Sequence, residues 1–241
     1  MIYITGDTHA DFSRFKNPAL RKLKKNDALI ICGDFGFIWN GSAEEKKLLE
    51  KIGKLRYNVL FGEGRHENYD LLEQYEVSEW CGGKTRLISG RLRQLMRGQV
   101  YEIAGKKVFS FGGGQSDDSY DTVEGQNWWA REIPSEEELA EGMKNLENAG
   151  NSVDIVVTYE PPSGLHDFLD QKGAGDRNHI NTYLHGIFEK ITFNGWYFGK
   201  LHLNKLIPPK YHAVYDGITA ADKIAIKKPA REKRRDEEKE N

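Results

Sequence analysis

Cysteine is nearly absent from this chain, with Cys32 and Cys81 the only two in 241 residues. Two thiols cannot build a disulfide framework in a protein of this size, so its stability must come from a hydrophobic core, and a reducing compartment is expected. Cys32 ends the apolar run Ala28 to Cys32, where a thiol packs as a small core residue. Long apolar stretches are missing too. No window reaches the roughly 18 apolar residues that suggest a membrane span. No charged segment with an apolar stretch precedes the first strand, so the expected location is cytoplasmic, with no membrane partner. A net charge of −2 leaves no overall basic footprint for sequence-independent nucleic-acid binding. A nucleic-acid partner is not excluded, but it has to be argued from a local site. There is no internal repeat and no nucleotide-binding loop: Gly83-Lys84-Thr85 ends like one, but Ser78 stands where the loop needs its first glycine.

What is present is the composition of a soluble protein with one sizeable core, 38% hydrophobic and 11% aromatic. Short apolar runs alternate with charged amphipathic stretches, as when helices cover sheets of largely buried strands. Ile2 to Thr5, Ala28 to Cys32, Tyr57 to Phe61, Val153 to Thr158 and Trp196 to Gly199 read as strands. Pro18 to Lys25, Ser42 to Leu55 and Glu67 to Tyr75 read as helices, the second opening with Ser42 and Glu45 at capping-box spacing. Another helix opens at Pro134 and runs to about Asn148, with acids in its first turn. Thr85 to Ser89, Leu92 to Met96, Gln99 to Ile103 and Lys107 to Phe111 are close-spaced strands, read as an antiparallel meander. One domain is expected over residues 1–226. The stretch 227–241 is almost all charge of both signs and reads as a solvated tail.

Chemistry-bearing residues stand directly after the strands, where open α/β sheets place their ligands. Asp7 and His9 lie in Gly6-Asp7-Thr8-His9, and Asp34 follows Gly33. His66 lies in Gly64-Arg65-His66-Glu67, Tyr159 in Val157-Thr158-Tyr159-Glu160-Pro161-Pro162, and His202 in Gly199-Lys200-Leu201-His202. Residues two apart in an extended segment point the same way, and carboxylate oxygen beside imidazole suits Mn, Fe or Zn. Taken alone, Asp7 capping the next element with His9 as a loop residue is the better account. The four residues Asp7, His9, Asp34 and His202 together point to a metal.

In this order the motifs resemble the calcineurin-like metallophosphoesterase superfamily, in particular its bacterial and phage members. The resemblance implies a four-layer α-β-β-α sandwich of two mixed sheets. It also implies a phosphoesterase, hydrolysing phosphomonoesters or phosphodiesters, whose partner is a phosphorylated substrate or ligand. Asp7, His9, Asp34 and His202 would hold the first metal, a single divalent Mn, Fe or Zn. The second metal would need the positions of Arg65, Tyr159 and Lys200, where the family has Asn, His and His. Arginine is not a plausible ligand, lysine would have to lose its proton and neutral tyrosine is a poor donor, so the second metal is expected to be absent. Arg65 and Lys200 would instead stabilise phosphoryl charge, or else form a salt bridge to Asp34 and close the site. His66 would protonate the leaving oxygen. Glu67 either orients that ring or opens the next helix, and Asn68 and Tyr69 would wall the pocket. Gly112-Gly113-Gly114-Gln115-Ser116-x-Asp118 resembles a glycine-rich turn beside the site in such relatives, or is simply a tight turn. Trp128 and Trp129 read as a core or rim pair able to stack on a base. His166, His179, His185 and His212 read as surface or structural. The other function class that fits is a catalytically impaired descendant that binds a phosphorylated ligand or a protein partner.

Overall fold

A computed structural model describes residues 1–116, 122–169 and 178–221. Asp118 and the charged stretch 227–241 lie outside the described residues. Along the chain the strands are β1 (Ile2–Thr5), β2 (Ala28–Cys32), β3 (Asn58–Gly62), β4 (Val77–Trp80), β5 (Gly83–Ser89), β6 (Leu92–Leu95), β7 (Gln99–Ile103), β8 (Lys106–Phe111), β9 (Ile155–Thr158), β10 (Gly195–Phe198), β11 (Lys205–Ile207), β12 (Tyr211–Ala213) and β13 (Thr219–Ala220). The helices are α1 (Ala43–Gly53), α2 (Tyr69–Leu72), α3 (Glu136–Asn148), α4 (Ser163–Leu169) and α5 (His179–Lys190). One sheet has the order β13-β1-β2-β3-β6-β5-β4, the other β11-β12-β10-β9-β8-β7. Both are mixed: β1, β2, β3 and β6 run parallel, as do β8, β9, β10 and β12, with antiparallel strands at the edges.

Strands with continuous apolar sequence are explained by three separate cores. Side chains alternate across a strand, so Ile2, Ile4, Ala28, Ile30, Cys32 and Leu60 point into the space between the sheets. There they meet Val108, Ile155, Val157 and Tyr197 of the opposing sheet. Tyr3, Leu29, Ile31, Val59 and Phe61 point outward and pack with Leu49 and Ile52 of α1. Phe109, Phe111, Val156, Trp196 and Phe198 pack with Leu139 and Leu146 of α3 and with Ile180, Leu184 and Ile187 of α5. Helices, sheet, sheet and helices make the expected four-layer sandwich. No helix among the described residues is long and apolar enough to cross a membrane.

Three local expectations are corrected. The residues from Thr85 to Phe111 are not one meander: β5 and β6 belong to the first sheet, β7 and β8 to the second, and the chain changes sheets at Met96-Arg97-Gly98. Gly98 adopts φ +69°, and a Cβ there would lie 2.7 Å from the Gly142 Cα, so close contact with α3 forces the corner. The buried Arg97 guanidinium pins it, pairing with Glu63 and Glu138 and donating to the Arg131 and Glu132 carbonyls. Pro18 to Lys25 forms only a 3₁₀ turn, Pro18–Lys22. Finally, the helix expected from Glu67 shrinks to α2, because Asn68 caps it and Glu67 is engaged elsewhere. At α1 the Ser42 hydroxyl accepts from the Glu45 amide as a cap should. The Glu45 carboxylate, however, accepts from the amides of Trp39, Asn40 and Gly41 rather than from Ser42.

Candidate metal centre

The loops that leave β1, β2, β3, β9 and β10 converge at the ends of both sheets, and four of their polar residues sit in the left-handed region. His9 has φ +42°, Asp34 +43°, Lys200 +60° and His202 +50°. Asp and His tolerate this conformation better than most residues, and here it turns each side chain back over the end of its strand. Gly64 is required by close approach, since a Cβ there would lie 2.2 Å from Asp34 Oδ1. Without it, the Arg65 and His66 amides could not donate to that oxygen, at 2.6 and 3.0 Å.

Asp7, His9, Asp34 and His202 offer one donor atom each, all within 4.8 Å of one another. His9 Nε2 lies 3.3 Å from His202 Nε2 and 3.7 Å from Asp34 Oδ2, and His202 Nε2 lies 3.0 Å from Asp7 Oδ2. That Asp7 oxygen is buried and has no hydrogen-bond partner. Burial pushes the Asp7 carboxyl up to about 8, with the neighbouring Asp34 adding to the push. Burial likewise lowers the His9 imidazole, which favours the neutral form a metal requires. A buried carboxylate oxygen without a hydrogen bond and imidazole nitrogens facing one another form a converging set of lone pairs. The two-nitrogen, two-oxygen donor set suits a divalent transition metal, so the residues fit such an ion.

Sequence reasoning missed the residues that hold this group in place. Arg14 donates to the Asp7 and Tyr215 carbonyls at 3.0 and 2.8 Å, clamping the β1 loop, and His202 stacks on Tyr215 at 4.5 Å. Glu67 is fully buried and accepts from the Phe35, Gly36 and Gly64 amides, at 2.8, 3.0 and 3.4 Å. It therefore fixes the loop carrying Asp34 and does not orient His66. An acid facing amides of two separate loops has no sequence signature beyond its position after a strand.

The other half of the constellation is already satisfied. Tyr159, 1% exposed, donates from its hydroxyl to Asp34 Oδ2 at 2.9 Å and accepts from Arg65 Nε at 3.1 Å. Its ring fills the space left by two glycines: a Cβ on Gly33 or Gly114 would fall 2.1 or 2.7 Å from a ring atom. The glycine-rich turn is therefore shaped by the site, as far as Ser116. Burial works against the Arg65 charge, but Tyr159 and Asp34 more than offset it and keep the guanidinium protonated. Lys200 does not pair with Asp34. Its Nζ reaches the fully buried Glu160, which also accepts from Asn178 and Asn181 at 2.9 and 3.1 Å.

His66 is exposed beside the four candidate ligands, its ring 4.7 Å from His9 at a near-perpendicular angle. Asn68 caps α2 and Tyr69 is buried against Arg97, so neither wall faces the donors directly. Trp129 is a core residue, donating to Asp70 at 2.9 Å, while Trp39 stands between it and His66. His166 is buried, and His212 stacks flat on Tyr197 at 4.5 Å, both away from the donor group.

No curated protein matches the chain in sequence. A family model described as calcineurin-like phosphoesterase matches residues 1–208 and so spans every residue of the donor group. Since that match takes in most of the chain, including β1 to β11 and the loops that carry the four donors, this protein belongs to the calcineurin-like phosphoesterase family.

Proposed function

We propose that the protein hydrolyses phosphoesters with a single divalent transition metal, held by Asp7, His9, Asp34 and His202. The observation that carries this reading is the buried, unbonded Asp7 Oδ2, 3.0 Å from His202 Nε2. Such an ion supplies Lewis acidity at a phosphoryl oxygen and makes water acidic enough to attack at neutral pH. Arg14 and Glu67 keep the ligand loops in place. The terminal nitrogens of Arg65 have no hydrogen-bond partner among the described residues, because only its Nε is engaged, by Tyr159. They are free to hold phosphoryl oxygens and offset charge that builds up on them. Lys200 adds little, since Glu160 neutralises it at close range. His66, exposed and next to His9, donates a proton from its imidazole to the leaving oxygen.

A second reading is favoured by one observation: both oxygens of Asp34 already accept hydrogen bonds, from the Arg65 and His66 amides and from the Tyr159 hydroxyl. A protein with that carboxylate occupied would bind a phosphorylated ligand or partner without turning it over.

Elemental analysis and hydrolysis of an aryl phosphomonoester and phosphodiester, on native protein, Asp7→Ala and His66→Ala, separate the two. Hydrolysis lost in both variants, with metal lost only in Asp7→Ala, is the expected result. Metal bound and no ester cleaved, with inorganic phosphate still held, would establish the binding protein instead.

A further inference from the structure

Trp39 is presented to the site more firmly than a rim residue needs to be. Its backbone amide donates to Glu45 Oε2 at 2.9 Å, and its carbonyl accepts from the Asn68 side chain at 2.8 Å. The neighbouring Ile38 carbonyl accepts from the Asn68 amide at 2.9 Å. The indole stands edge-on to buried Trp129, with centroids 5.7 Å apart at 83°, and Trp129 is itself anchored to Asp70. The result is a partly exposed indole, set on a backbone held by three hydrogen bonds and packed against Trp129, with its centroid 6.4 Å from that of His66. Glu45 leaves half of its capping box unmade to hold this loop.

The order of groups matters. His66 is the ring in common, its centroid 4.7 Å from that of His9 and 6.4 Å from that of Trp39. Given the phosphoesterase reading, on which this inference rests, a leaving group whose oxygen is protonated by His66 extends toward the indole. A ring bonded directly to that oxygen would lie on His66. A base separated from it by a sugar reaches Trp39. We infer that Trp39 is a stacking platform for the leaving group and that the substrates are nucleotides, a nucleobase lying on the indole while the phosphoryl group occupies the metal centre. Base stacking on an aromatic side chain tolerates any base, so the site selects the class and not its sequence.

The test measures binding and so does not depend on turnover. Calorimetry on manganese-loaded protein compares inorganic phosphate with the 5′-methylenephosphonates of adenosine and of ribose, which cannot be cleaved. Stacking of one base predicts that the adenosine compound binds about tenfold to a hundredfold more tightly than the ribose compound. That ratio should fall to about one in Trp39→Leu and survive in Trp39→Phe, which keeps a ring against Trp129. Equal binding of the two phosphonates by native protein, or a ratio unchanged in Trp39→Leu, overturns the platform. If phosphate still binds in that case, the phosphoester reading stands without it. If none of the three ligands binds, that reading fails and the platform fails with it.

Discussion

The two halves of the centre are built from equivalent strand ends and have reached opposite states. Around Asp7, His9, Asp34 and His202, donors face one another with a buried Asp7 oxygen lacking a hydrogen bond and with the two histidines exposed to solvent. Around Arg65, Tyr159, Lys200 and Glu160, Lys200 is paired with Glu160, Arg65 is bonded through its Nε to the Tyr159 hydroxyl, and Glu160 and Tyr159 are buried. The first half offers donors for a cation; the second has two cationic side chains of its own, bound covalently to the chain. Fixed cations cannot move with a reaction, and one of these is quenched by the Glu160 carboxylate.

The comparison breaks most completely at Asp7. Asp7→Ala should take bound metal from about one ion per chain to almost none, by elemental analysis, because a chelating oxygen and its charge go together. The converse change comes next. Combining Arg65→Asn, Tyr159→His and Lys200→His should make the second half resemble the first and raise the metal content to about two. A count that stays at one would show that these three positions do not form a second site. Glu160→Gln leaves Lys200 without its counter-charge and should lower unfolding stability by about 3 kcal/mol, in denaturant titration.

The next effect depends on pH. In metal-free protein the Asp7 carboxyl is raised to about 8 from an ordinary value near 3.8. A raised carboxyl contributes stability that is fully present below the ordinary value and lost as pH rises through the folded one. The melting temperature of metal-free native protein should therefore fall relative to Asp7→Asn between about pH 4 and pH 8, by the equivalent of a few kcal/mol. Metal loading should remove that difference. Smallest is Tyr159→Phe, which frees Asp34 Oδ2 and should cost about 1–2 kcal/mol of stability while tightening metal binding. An unchanged metal affinity would mean that the tyrosine hydroxyl does not compete for Asp34.

The residues that can be read from the sequence are those whose chemistry is local. Asp7, His9, Asp34 and His202 follow apolar runs at strand ends, and the runs themselves announce strands buried on both faces. The sequence could not show which face each residue serves, because Ile30 and Ile31 look alike and belong to different cores. Nor could it show the change of sheet at Arg97, which depends on Glu63 and Glu138 reaching that residue from distant segments. Lys200 was expected near Asp34 because their motifs belong together. Its actual partner is Glu160, 40 positions away. Long-range ion pairs of this kind have no period or spacing to read. Trp39 was missed for a different reason: following Phe35 and Phe37, it looks like one more core aromatic until Glu45, Asn68 and Trp129 are seen to hold it.

The donor group draws on both sheets. Asp7, His9 and Asp34 come from loops of the seven-stranded sheet and His202 from a loop of the six-stranded one. An ion there would act as a rivet through the sandwich, joining two layers that also meet through the apolar core and through the Tyr159 hydroxyl's bonds to Asp34 and Arg65. Its removal would loosen the seam between the sheets before it disturbed either sheet. Amide exchange should register this first in β1 and β10, so the centre would hold the layers together as well as act on a phosphate.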